Sequence, residues 1–285
     1  MAMPPLEPVQ TANSQRDRIE LELLLEAIYR MYGYDFSAYA RASIERRVRL
    51  FLTNTPFKSV SALIPSLLHD AEFAARLIRH FSIPVTEMFR DPFVYLAVQR
   101  QILPVLRTWP HIKIWHAGCA TGEEVYSLAI LLKEEGLYDR ATIYATDFND
   151  DALERAQAGI YEPAKLKEAT RHYQAAGGTR SFSDYYHAAY DAVVLDPALR
   201  ERILFANHNL AADGVFGEMQ LIFCRNVLIY FNRDLQNRVL ALFADSLGNG
   251  GFLCLGTKED LQTSAVNSRF EPVNAKARLY KRIGS

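Results

Sequence analysis

The chain has 285 residues, 49% of them hydrophobic and 23% charged, with a formal net charge of −1. These values describe a globular protein with room for one large domain or two modest ones, and exclude a whole-molecule attraction to nucleic acid or an anionic membrane. No apolar run approaches the roughly 18–20 residues needed to cross a bilayer, so direct membrane insertion is not expected.

The polar, proline-containing start lacks the apolar core of a signal peptide, and residues 1–15 are expected to form a flexible tail. Residues 16–82 read as a helical domain. Ile19, Leu23, Leu24, Ala27, Ile28 and Met31 recur at helical spacing, and Gly33 is a natural stop. Ser37 is placed to cap a second helix with Ile44, Val48 and Phe51 on one face. Ser59–Leu68 and Ala71–Phe81 suggest two more. Pro84 and Pro92 then interrupt the pattern, which marks residues 83–92 as a linker.

From Phe93 to the end a different grammar holds. A helix (Phe93–Arg107) precedes an apolar run (Ile112–Ala117), a glycine-bearing turn and a helix (Glu123–Glu135). A second run (Thr142–Thr146) and a helix from about Asn149 to Ala158 follow. This alternation predicts a mostly parallel sheet with right-handed crossovers, an α/β fold of Rossmann-like type. Tyr161–Asp196 is irregular and tyrosine-rich. Strands are expected at Ile203–Ala206, Met219–Cys224 and Phe252–Leu255, with a helix at Arg233–Ser246. Phe270–Asn274 and Arg278–Ile283 resemble a closing antiparallel hairpin. Cys119, Cys224 and Cys254 are odd in number, widely spaced and set among apolar neighbours, as expected of reduced thiols in a cytoplasmic protein. With no Cys-x-x-Cys pair, no metal site is expected.

The segment Trp115–Ala129 ends a strand in small residues and begins a helix. Gly118, Ala120 and Gly122 allow close backbone approach by a ligand, and the helix start offers free N–H groups. A dinucleotide site calls for Gly-x-Gly-x-x-Gly and a pyrophosphate on that helix end. Here Glu123 and Glu124 occupy the first turn, where they would repel a phosphate and suit an ammonium. That favours S-adenosylmethionine over NAD as the cofactor, although both glutamates also complement a helix dipole. Asp147, just past the second strand, is positioned to accept ribose hydroxyls or to cap the following helix.

These residues and four other segments closely resemble the CheR family, chemotaxis methyltransferases that methyl-esterify glutamate side chains of chemoreceptors. Val85-Thr-Glu-Met-Phe-Arg90 is similar to the family's Thr-x-Phe-Phe-Arg loop, with Met88 in place of its first Phe. Ala120–Ser127 resembles the cofactor loop, Ala145–Asn149 the ribose-binding strand end, and Asn207–Leu210 the Asn-Leu pair near the adenine. Phe223-Cys-Arg-Asn-Val-Leu-Ile-Tyr-Phe231 resembles a nine-residue family signature, and Tyr34–Leu50 the N-terminal helical domain. The resemblance implies a methyltransferase domain over 93–285, an all-α domain before it, and a small inserted β subdomain over about 161–200. It implies that Glu124 receives the methionine amino group and Asp147 the ribose, beside Gly118. Thr86 and Arg90 would close over the cofactor, and Asn209, Leu210, Arg225 and Asn226 would line it. Arg90 and Tyr230 would face the methyl acceptor, and S-adenosylhomocysteine would be the product. Two departures stand out: Pro84 replaces a usual Asn, and Thr257-Lys-Glu-Asp-Leu261 replaces a more usual His-Ser-Glu stretch.

The chemistry agrees. A glutamate carboxylate with a pKa of about 4.3 is ionised at neutral pH and needs no general base, only alignment in an enclosed site. Arg90 would aim it. Purely structural roles stay open for Arg90 as a linker ion pair, for Arg225 and Asn226 as a strand terminus, and for Tyr230 and Phe231 as core. Arg41, Arg46, Arg47 and Arg49 give the second helix a basic side, either a solvated face or a docking surface for the acidic helical domain of a chemoreceptor. Some relatives grip a peptide at the receptor C-terminus with a Gly-x-Gly-type loop in the β subdomain. Only Gly177-Gly178 stands here, so independence from that tether is expected, with the protein a monomer. A methyltransferase for another acceptor and a non-catalytic S-adenosylmethionine-binding signalling scaffold are the alternative readings.

Overall fold

A computed structural model describes residues 9–81 and 86–284, with side chains from residue 15. Two compact units comprise residues 1–83 and 84–285. Residues 82–85, which include Pro84, Val85 and the start of the expected linker, lie outside the described residues.

The first unit contains α1 (Val9–Tyr32), α2 (Arg41–Thr53), α3 (Leu63–His69) and α4 (Ala71–Phe81). The expected tail of residues 1–15 is corrected in part, because α1 already runs from Val9. No proline or glycine separates Val9 from the apolar stripe, and extending a nucleated helix costs little. The stripe itself is rotated from the expected one: Leu21, Leu24 and Ile28 are buried, while Ile19, Leu23 and Met31 are exposed. Periodicity alone leaves two apolar faces on this helix, and packing on α3, with Tyr32 Oη donating to the Leu67 carbonyl at 2.7 Å, selects one. Ser37 does not cap α2; its hydroxyl and N–H both go to the Asp35 carboxylate, and α2 starts after Ala40 without a side-chain cap.

In the second unit, α5 (Pro92–Ala97), a π-helical turn at Val98–Ile102 and α6 (Leu103–Leu106) replace the single expected helix. Pro104 carries no N–H and crowds the preceding turn, and the widened turn relieves that crowding. There follow β1 (Ile112–Ala117), α7 (Glu123–Glu134), β2 (Ala141–Asp147), α8 (Asp150–Ala158), β3 (Ile160–Tyr161), α9 (Leu166–Ala175), β4 (Tyr186–Ala189) and β5 (Ala192–Leu195). The chain ends with β6 (Ile203–Asn207), β7 (Met219–Cys224), α10 (Arg233–Ser246), β8 (Leu247–Leu255), β9 (Phe270–Asn274) and β10 (Leu279–Arg282).

Seven strands form one sheet in the order β6-β2-β1-β7-β8-β10-β9. The first five are mutually parallel, and β10 and β9 close the edge antiparallel. β7 is buried at every position, as suits a central parallel strand covered on both faces. From β1 the chain winds outward to β2 and β6, then returns to β7 on the other side of β1. The switch point, where ligands bind in open α/β sheets, therefore lies between the carboxyl ends of β1 and β7. α7 rises from there with every side chain from Glu123 to Leu132 buried. The insertion folds as a small three-stranded sheet, β3-β5-β4, and carries α9, a helix in a stretch expected to be irregular. Only Ala169 and Tyr173 of α9 are buried, too short a stripe to stand out in the sequence.

Candidate active site

The turn after β1 is built from backbone. Gly118 and Cys119 donate their N–H groups to the Thr146 carbonyl at 2.8 and 2.9 Å, pinning the turn to β2. Ala120, at φ +49°, donates its N–H to Asp147 Oδ2 at 2.9 Å. Gly118 sits at φ +75°, and a Cβ there would lie 2.5 Å from Val227 Cγ2, so only glycine fits. Gly122, at φ +88°, starts α7. Asp147 also accepts the Asn149 N–H at 3.0 Å through Oδ1. Burial pushes its carboxyl above the usual range, and the N–H groups of Asn149 and Ala120 pull it back. With these N–H groups and that of Phe148 engaged, the carboxylate still keeps lone-pair capacity for a ligand hydroxyl.

Glu123 and Glu124 are both buried at the start of α7 but diverge. Glu124 receives a hydrogen bond from Arg225 Nη1. Burial raises the Glu124 carboxyl, opposed first by Arg225 and then by Arg90. Glu123 instead accepts the Thr121 hydroxyl at 2.6 Å and faces Lys165 at 3.7 Å.

The second half is built from side chains at the end of β7. The Arg225 side chain is wholly buried; besides Glu124 it bonds the Arg90 carbonyl at 3.0 Å and Asp91 Oδ2 at 2.7 Å. It thereby ties α7 to the loop before α5, in which Phe89 and Asp91 hold positive φ angles of 52° and 54°. Ser127 Oγ accepts the Phe89 N–H at 2.8 Å, and His172 Nδ1 lies 3.3 Å from the Met88 carbonyl. Beyond Arg225, Asn226 adopts φ +60° and Tyr230, half-buried, closes a single helical turn at Leu228–Tyr230. Buried Glu259 fastens this turn by accepting N–H groups from Asn226 at 3.1 Å, Ile229 at 3.3 Å and Gly256 at 2.6 Å.

The sequence therefore marked the Thr257–Leu261 stretch only as a departure, yet its Glu259 organises the β7 turn. Asp91, Ser127 and His172 were also not singled out. Asp91 stands beside Arg90 and Ser127 ends the segment that resembles the cofactor loop, whereas His172 carries no sequence signal, and the contacts the three make span 38 to 134 residues. Asn209 organises its own turn, accepting the Ala211 N–H and donating to Asp213, beside buried Leu210. The His208 N–H donates to the Asp147 carbonyl at 3.1 Å and so joins this segment to the end of β2. Phe231 is core. On α2 the expected basic face is corrected: Arg47 is 4% exposed, and Arg41 is engaged by Glu22 and Glu45. Helical geometry turns Arg47 onto the buried stripe of Ile44, Val48 and Phe51, which leaves Arg46 and Arg49 outside.

Among the polar atoms buried here without a hydrogen-bond partner are Thr86 Oγ1, Arg225 Nε and Asn226 Oδ1. Orphaned donors and acceptors around a glycine-lined turn, with buried carboxylates at Glu124 and Asp147, fit a ligand carrying an ammonium and a ribose. A methyltransferase fold with a nucleoside-type site is what the sheet order and this turn define.

The chain belongs to the CheR methyltransferase family: residues 84–279 match its S-adenosylmethionine-binding domain and residues 19–82 its all-alpha domain. It is 52% identical over 264 residues to a Pseudomonas putida protein that bears the methyltransferase name Cher3, covering 93% of this chain and 97% of that one. It is 29% identical to the chemotaxis protein methyltransferase of Listeria monocytogenes, covering 84% and 88% of the two chains. Against chemotaxis protein methyltransferase 1 of Vibrio cholerae identity is 28%, with 81% and 84% covered. S-adenosylmethionine is thus the cofactor. No helix among the described residues is long and apolar enough to cross a membrane, and they hold no metal-binding cluster of His, Cys, Asp and Glu.

Proposed function

We propose that the protein methyl-esterifies glutamate side chains on the cytoplasmic helical domain of chemoreceptors. The observation that carries this reading is the buried Arg225, which couples Glu124 to the Arg90–Asp91 loop through three polar contacts. The acceptor side then presents a guanidinium at Arg90 and a phenol at Tyr230, and an ionised carboxylate asks for positioning, not deprotonation. His116, buried on β1, is held near pKa 3 by burial and then by Arg225, and makes a poor base at neutral pH.

When bound, S-adenosylmethionine supplies an electrophilic sulfonium methyl group. Glu124 takes its ammonium, Asp147 its ribose, and Gly118 lets the backbone approach closely. Thr86, Asn209, Leu210, Arg225 and Asn226 complete the wall. Thr86 and Arg90 exclude water, and Arg90 with Tyr230 aims the acceptor carboxylate. Arg46 and Arg49 remain as the exposed cations of α2 for an acidic receptor helix.

The enzyme works in the cytoplasm as a monomer and without a receptor C-terminal tether. Supporting tether independence, Gly177-Gly178 follows α9 instead of joining two strands, and the β4–β5 hairpin turns tightly at Tyr190-Asp191. Undiminished esterification of receptors lacking the peptide is expected; measurable peptide affinity overturns this part. The central test incubates the protein with radiolabelled S-adenosylmethionine and receptor-containing membranes. Base-labile methyl esters are expected. Cofactor binding without transfer favours a scaffold, and base-stable label favours another acceptor.

A further inference from the structure

Behind the loop that carries Arg90, a cavity of about 130 Å³ opens between α7 and the inserted subdomain. None of Gly118, Glu124, Asp147 or Arg225 lines it. Its walls are mainly apolar, with Leu166 and Ala169 from α9, Phe182, and Val193 and Leu195 from β5. The only buried charge on its lining is the Glu123 carboxylate, 2% exposed as a residue, whereas Glu87, Glu162, Glu168 and Lys165 are exposed. With four carboxylates against one lysine, the cavity favours a cation.

Glu123 holds one partner tightly and the other loosely. Thr121 occupies Oε2 at 2.6 Å, while Lys165 Nζ makes a long ion pair with Oε1 at 3.7 Å from a side chain 56% exposed, so an incoming ammonium competes only with a surface lysine. An apolar sleeve ending in one carboxylate oxygen suits an alkyl stem with a terminal ammonium. A guanidinium fits less well, because its planar fork seeks two carboxylate oxygens and Oε2 is already taken. The size agrees: a dry cavity of roughly 150 Å³ holds a benzene-sized guest, so 130 Å³ admits a lysine's four-carbon stem.

We propose that this cavity is a lysine-accepting subsite that seats one lysine side chain of the partner polypeptide, with its ammonium on Glu123. Met88 and Glu87 line it from the loop that carries Arg90, and His172 lies against the Met88 carbonyl, so an occupied cavity braces that loop. Its role as a substrate subsite rests on the protein-methylation reading; the cavity's preference for an alkylammonium does not.

The test titrates N-acetyl-lysine methylamide, its norleucine and arginine counterparts and n-butylammonium into the full chain loaded with S-adenosylhomocysteine, followed by amide chemical shifts. Lysine and butylammonium are expected to bind, with norleucine and arginine at least tenfold weaker. Glu123→Gln should weaken lysine at least tenfold, and Ala169→Phe, which fills the cavity, should abolish binding. Lys165→Met should tighten binding at least threefold by removing the competing cation. S-adenosylhomocysteine affinity within twofold of the parent in Lys165→Met and Ala169→Phe shows that both remain folded. No lysine binding, equal norleucine or arginine binding, or indifference to Ala169→Phe or Lys165→Met overturns the proposal. Failure of the methylation reading registers separately, as absent ester formation on receptor membranes while alkylammonium binding persists.

Discussion

The two halves of the site are made of different material. The turn between β1 and α7 is a backbone construction in which N–H groups reach the Thr146 carbonyl and Asp147, and the side chains nearest the ligand space are small. The end of β7 is a side-chain construction, in which Arg225 spans Glu124, Asp91 and the Arg90 carbonyl while Glu259 gathers N–H groups from its own loop and the β7 turn. A backbone-built turn is fixed by the φ angles of a few consecutive residues and is hard to perturb except at a glycine. A side-chain-built centre concentrates its order in a few buried charges, so one substitution should dismantle it.

Arg225→Leu tests that contrast most severely. It leaves Glu124 and Asp91 without their cation, and breaking a buried pair in this way costs about 3–5 kcal/mol. Methyl transfer should fall below detection, and denaturant unfolding of the variant should show the matching loss of stability. Survival with near-normal stability would mean that the ion-pair centre is not what holds the loop.

Gly118→Ala attacks the other half. The positive φ and the 2.5 Å approach to Val227 should together cost about 2–3 kcal/mol and weaken S-adenosylhomocysteine binding at least tenfold, measured by calorimetry. Adding Val227→Ala relieves the contact but not the backbone strain, so the double variant should recover only part of the loss.

His116 provides a pH test. It lies on β1, stacked on Phe223, with Nε2 unpartnered, and burial, aided by Arg225, pushes its pKa down to about 3 from 6.5. A base whose folded pKa is depressed favours the folded state fully above its unfolded pKa. That contribution is lost as pH falls from 6.5 toward about 3. About 2 kcal/mol should disappear between pH 6.5 and 5, and His116→Leu should lack this part of the acid sensitivity in urea midpoints taken across that window.

The smallest effect is expected away from both halves. Arg46→Glu with Arg49→Glu should raise the KM for receptor several-fold at low salt and leave cofactor affinity unchanged, because exposed charges steer encounter more than they bind. Arg41→Ala, whose cation is already shared by Glu22 and Glu45, should do less. Equal effects from all three positions would count against a docking face made of Arg46 and Arg49.

The backbone-built half was legible in the sequence because its determinants are neighbours. Gly118, Ala120, Gly122 and the two glutamates stand within seven consecutive residues, and Asp147 ends the next strand. Strand and helix alternation also predicted a mostly parallel sheet, since crossover geometry follows from local periodicity and chirality. The sequence alone did not show that Glu123 and Glu124 part company, because adjacent helical side chains point about 100° apart and only the surroundings assign their partners. Nor did it show Arg47 turned inward, α1 burying Leu21 instead of Ile19, or Glu259 serving a turn some 30 residues away. What the chain determined by itself was the turn between β1 and α7 and the order of elements, which depend on short-range dihedral and hydrophobic patterns. The tertiary structure decided how the buried charges pair, because burial makes an unpaired charge so costly that its partner is chosen in three dimensions.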